Sequence, residues 1–143
     1  MQVDNITTEF VLDDAPDRGR ATVMQLTWCR GDPFAVIIEL ISRPEHPALP
    51  HGVWVAPRDA LRTGLDTPVG DGDVRITPGT DRTIDGGHVR FDLNDGHRQN
   101  VVVTVRAASL RAFLDRTERI VASGEEHPEK ELDDVLHELL QQT

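Results

Sequence analysis

Few side chains in this sequence are placed to do covalent chemistry. The three serines are Ser42, Ser109 and Ser123. None lies in the glycine-flanked turn that would expose a nucleophile beside a base and an oxyanion hole. Cys29 is the single cysteine, and it closes an alternating apolar stretch as an ordinary strand cysteine would. Glu45, His46 and His51 are metal-ligand types, but their spacing in a proline-rich stretch fits no common zinc pattern. Asp71 and Asp73 flank a glycine, and Asp92, Asn94 and Asp95 cluster further on. Neither group has the register or closing glutamate of a calcium loop. Arg30-Gly31-Asp32 spells an integrin-ligand tripeptide in a chain without a secretory leader, and it is read as chance. Gly70-Asp71-Gly72 and Gly86-Gly87 lack the lysine and serine or threonine of a phosphate loop. No cofactor or metal is expected, and no catalysis.

Binding remains, and two kinds of residue suit it. Trp28 and Trp54 are large aromatics on short strands. Such residues usually belong to the core, but tryptophan also anchors interfaces. The second feature is Phe34 to Ile41. Phe34, Val36, Ile38 and Leu40 fall on one face, and Ala35, Ile37 and Ile41 on the other, with Glu39 among them. A strand apolar on both faces is either central in its sheet or faces another chain.

The 143 residues match one domain of ordinary size, able to bury a core without disulfides or metal. The net charge of −10 opposes binding to nucleic-acid phosphates or anionic lipid, and lysine is nearly absent, Lys130 being the one example. No apolar run reaches the roughly 18 to 20 residues of a membrane span. With one thiol and a polar N-terminus, the chain reads as cytoplasmic.

The elements that must carry these residues follow from periodicity. Residues 1 to about 19 open polar, with a first strand expected at Phe10-Val11-Leu12. Thr22, Met24, Leu26 and Trp28 alternate with polar or smaller residues, a half-buried strand pattern. Strands are expected at 34–41, 53–55, 74–76, 89–93 and 101–105. Asn94-Asp95-Gly96 is the hairpin signal joining the last two. Pro57 to Gly64 reads as a short helix with proline at its start and glycine at its end. Two C-terminal helices are expected. One carries Leu110, Phe113, Leu114, Ile120 and Val121 and is closed by Gly124. The other carries Leu132, Val135, Leu136, Leu139 and Leu140 behind Pro128 and Glu129. Strands first and helices last give an α+β fold of about seven strands, occupying 1–143 as one domain, with the helical part at 106–143.

Four stretches in order resemble the SsgA-like family of actinobacterial proteins. They are Asp32-Pro33-Phe34-Ala35-Val36; the run from Val53 to Val74 containing Arg58-Asp59-Ala60-Leu61, Gly64-Leu65, Pro68, Gly70 and Gly72-Asp73; Leu110 to Thr117; and the leucine-rich Leu132 to Leu140. The resemblance covers about residues 20 to 140. It implies antiparallel sheets with helices, similar to Whirly-type single-strand-nucleic-acid binders, and assembly as a homo-oligomer, a trimer or dimer. It implies non-catalytic work in sporulation-linked cell division, bringing proteins to the septum, among them the tubulin-like division protein FtsZ. The alternative it carries is single-stranded nucleic-acid binding. The residues expected to meet a partner are Phe34, Trp54, Arg58 and Asp59.

Overall fold

A computed structural model of the chain describes residues 5–12, 22–42, 52–79, 87–94, 96 and 100–126. The expected helix over 132–140 and the stretch holding Glu45, His46 and His51 lie outside those residues.

Four strands form the first sheet in sequential order: β1 (Asn5–Leu12), β2 (Thr22–Cys29), β3 (Asp32–Ser42) and β4 (Gly52–Pro57), all antiparallel. Three form the second: β5 (Val74–Pro78), β6 (His88–Asn94) and β7 (Asn100–Arg106), also antiparallel. Helix α1 (Arg58–Thr63) follows β4 directly, and α2 (Ala107–Ile120) follows β7 directly. The α+β expectation holds, with seven strands and the short internal helix.

Period-2 alternation decides which face of each strand is buried. Met24, Leu26 and Trp28 of β2 point inward, opposite Phe10, Thr8 and Ile6 of β1. Val89, Phe91 and Leu93 of β6 and Val103 and Val105 of β7 do the same in the second sheet. Helix α2 covers this core with Ala107, Leu110, Phe113, Leu114 and Thr117, one stripe at helical spacing. The buried side chains of both sheets and both helices form one hydrophobic cluster. Trp54 ties the sheets together: from β4, its indole N–H donates to the Asn94 carbonyl at the end of β6, at 3.1 Å.

Three sequence expectations need correction. Strand β1 begins at Asn5, not Phe10, and pairs with β2 along its whole length. The β-branched Ile6, Thr7 and Thr8 favour extended backbone although two of them are polar. Phe34 does not share a face with Val36, Ile38 and Leu40. The β2–β3 register shifts between Trp28 and Cys29, so Pro33, Phe34 and Ala35 stand opposite no β2 residue. Proline has no N–H for the ladder, and the extra residues turn Phe34 to the outer side. The Trp28 indole N–H instead donates to the Pro33 carbonyl at 3.0 Å. Finally, α2 stops at Ile120 with Val121 already extended, and Gly124 serves the turn beyond it at φ +87°.

Two loops fit their sequence signals closely. Pro57 caps α1 with extended φ and ψ, and Gly64 closes it. The Gly96 N–H donates to the Asn94 side-chain oxygen at 2.7 Å, starting the β6–β7 connection as an Asx turn. Gly64 is also needed for space, since a Cβ there would lie 2.2 Å from Cγ2 of Ile76. We expect Gly64→Ala to lower the unfolding free energy by about 2 kcal/mol through overpacking. Urea denaturation would read this as a lower midpoint at unchanged slope.

Candidate functional site

The outer face of the first sheet can be read row by row from the strand register. One row is Thr7, Thr27, Ile37 and Val55, crossing β1 to β4. The next is Glu9, Gln25, Glu39 and Val53, and a third includes Val23 and Ile41. Apart from Val23, these β1–β2 residues are polar, with the Thr7 and Thr27 hydroxyls 3.4 Å apart. The β3–β4 half is apolar: Val53 is 64% exposed, Val55 61%, and Ile37 and Ile41 are also exposed. Phe34, turned out by the register shift, is exposed as well. An apolar centre bordered by polar residues is the composition of a protein interface.

This face continues into a cleft. Val55, Pro57 and Ala60 on one side and Val69, Val74 and Ile76 on the other enclose about 410 Å³, with Gly70 to Asp73 across the mouth. Gly70 takes φ +93° and lies so close to the Val74 carbonyl that a Cβ would come within 2.2 Å of it. The mouth is thus built on backbone that excludes a side chain at this position.

The four residues expected to meet a partner divide. Phe34 and Asp59 are on the surface. Trp54 and Arg58 are inside, 6% and 1% exposed, and offer nothing to a partner of the folded chain. Trp54 covers Gly52 and bonds across the sheets, so its size serves the core. The outward valines of β4, Val53 and Val55, are exposed apolar residues outside that expected set. Their signal was present: if Trp54 faces in, Val53 and Val55 must face out.

Arg58 occupies a junction. Its guanidinium carbon lies 5.5 Å from the centre of the Trp28 ring. Its Nη1 donates to the Thr117 hydroxyl at 3.3 Å, and that hydroxyl donates to the Leu114 carbonyl at 2.7 Å. Its Nη2 lies 3.5 Å from the Glu126 carboxylate, an ion pair whose side chains are 2% and 5% exposed. Nε and Nη2 form no hydrogen bond among the described residues. Burial pushes the Glu126 pKa up, but its own and the Gly124 backbone N–H, with the Arg58 charge, more than offset this and hold it below 4.5. Beside this junction, Arg62 of α1 pairs with Asp115 at 2.9 Å and with Glu118, both on α2.

Among the described residues, no group of three or more His, Cys, Asp or Glu could hold a metal ion. No described helix is long and apolar enough to cross a membrane.

Residues 22–126 match the family described as Streptomyces sporulation and cell division protein, SsgA. The sporulation-specific cell division protein SsgB of Streptomyces coelicolor is 33% identical over 115 residues, 80% of this chain and 79% of that protein. SsgB of Salinispora tropica is 32% identical over 127 residues, 88% and 85% of the two chains. Among solved structures, the chain is similar to that of SsgB, in which mutations correlate to longitudinal cell division during sporulation of Streptomyces coelicolor. That likeness has TM-score 0.64 and 28% identity and covers 89% of this chain and 98% of the other. An SsgA-like sporulation-specific cell division protein from Thermobifida fusca matches over the whole of both chains, with TM-score 0.66 and 26% identity.

The junction yields a test. Arg58→Ala leaves the Glu126 carboxylate enclosed without its cation, and we expect a loss of about 3 kcal/mol at neutral pH. Glu126 has a lowered folded pKa, so its stabilisation is present above the unfolded value of 4.5 and lost as pH falls through the folded one. Urea unfolding against pH would then show wild-type stability falling on the acid side, with E126Q lacking that increment.

Proposed function

The chain belongs to the SsgA family of sporulation and cell division proteins, and from that premise we propose that it is a non-catalytic interaction factor of the sporulation septum. It assembles with copies of itself and brings division proteins to the septum through the outer face of its first sheet. The single observation carrying this is the exposed apolar surface of Ile37, Ile41, Val53 and Val55, continuous with the cleft beside Val55. Burying such a surface against another polypeptide stabilises the contact by about 25 cal/mol per Å² removed from water, before association entropy is subtracted. The polar β1–β2 half supplies the rim. Glu39, half-buried among the isoleucines, asks a partner for a hydrogen-bond donor or a cation at that point.

Phe34 and Asp59 are the members of the expected contact set that lie on the surface, and they belong to this proposal. FtsZ, the partner implied by the family resemblance, is the first to test.

The test is Val55→Asp. Val55 is exposed on an edge strand, so the substitution costs the fold little, within about 1 kcal/mol. Light scattering should show wild-type chain as an oligomer at micromolar concentration and V55D as a monomer. A V55D fusion in sporulating hyphae should lose septal foci. Wild-type chain that stays monomeric, or a V55D protein that assembles and localises normally, would contradict the proposal.

A further inference from the structure

The outer face of the second sheet differs from the first. The inward side of β6 and β7 is wholly apolar, so the alternate residues all point out. In register they are Arg75 and Thr77 on β5; His88, Arg90, Asp92 and Asn94 on β6; and Asn100, the exposed Val102, Thr104 and Arg106 on β7. Three arginines thus share one face with one aspartate, in a chain whose net charge is −10. Arg90 engages Asp92 through Nε and Nη2, at 3.2 and 2.9 Å. Arg75 is exposed and forms no ion pair among the described residues. Arg75 and Arg90 line a groove of about 460 Å³ together with Gly72, Thr77, Asp92, Asn94 and Asn100, the Asp92 carboxylate being held by Arg90.

We propose that this groove docks an extended acidic segment of a partner protein, with Arg75 and Arg90 taking its carboxylates and the asparagines its backbone. The occupant follows from charge and from what the face lacks. Guanidinium forks match carboxylate geometry, and Arg90 already makes such a contact to Asp92. Single-stranded nucleic acid needs aromatic platforms for its bases, and among the described residues this face carries no Phe or Trp, its one ring being the His88 imidazole. The chain's total charge also repels a long polyphosphate more than a short acidic peptide. The inference rests on the protein-binding role proposed above but uses the opposite sheet. V55D should therefore still bind the acidic probe, and R75E should still assemble.

The experiment is fluorescence anisotropy with the full-length chain. The probe is a labelled peptide of about ten residues alternating Glu and Ser, long enough at about 3.3 Å per residue to cross the three strands. A labelled oligothymidylate of equal length is the second probe. Arg75→Glu is compared with Arg111→Glu, which makes the same charge change on the exposed side of α2. The expected result is saturable peptide binding that R75E weakens about fivefold or more and R111E by less than about twofold. Equal weakening by both variants would mean attraction to overall charge alone and would overturn the proposal. So would absence of saturable peptide binding, or binding of the oligothymidylate in preference to the peptide.

Discussion

A guanidinium enclosed by protein is costly unless every side of it is answered, and Arg58 shows how far this fold goes to answer one. Trp28 of β2 lies under it, Thr117 of α2 accepts from it, and Glu126 beyond α2 opposes its charge. One of these groups comes from near the start of the described chain and two from near its end, with Arg58 itself between them. Placing them around one side chain fixes how α1, carried by the first sheet, meets α2, carried by the second. The satisfaction is incomplete among the described residues, where two of its nitrogens form no hydrogen bond. Apolar residues of similar volume could fill such a site at comparable or better stability. What the arginine adds is orientation: only one arrangement of the two helices brings a hydroxyl and a carboxylate to it. The adjoining Arg62 repeats the link at the surface, where it contributes less.

With the inner faces joined in this way, the outer faces are left to meet partners, and they differ in chemistry. One is apolar over β3 and β4 and polar over β1 and β2. The other is polar except for Val102 and carries arginines. The proposed role of bringing other proteins to a septum would call for at least two contacts that do not compete, and two sheets with chemically distinct exposed sides would offer them. The strongly negative remainder of the surface discourages contact elsewhere with acidic partners.

Much of this was legible in the amino-acid sequence wherever a strand alternates without interruption. Met24, Leu26 and Trp28, then Val89, Phe91 and Leu93, declare their faces by period alone, and Pro57 and Gly64 mark both ends of α1. The doubly apolar β3 was legible too, with its internal place in the sheet and its exposed second side. Phe34 was misplaced because a register shift inverts the pattern, and nothing local announces where it falls except Pro33, which cannot join the ladder. Strand β1 was read too short because threonines are polar by composition but extended by preference. Trp54 and Arg58, named among the expected contact residues, point inward, because a motif shows which residues adjoin in sequence and not which way they point. The partner of Arg58 could not be found from sequence at all. Glu126 is one acid among many in an acidic region, and only the fold brings it to the guanidinium.

In the proposed assembly the apolar half of the first sheet's outer face meets another polypeptide. Methyl NMR of the chain, recorded as its concentration rises from about 10 µM to about 1 mM, a range covering weak to moderate self-association, tests it most directly. Shifts or broadening are expected at the methyls of Ile37, Ile41, Val53 and Val55, while those of Val89, Val103 and Leu114 in the core stay still. Outer-face methyls that are indifferent to concentration, or changes that appear only on α2 or the second sheet, would contradict it.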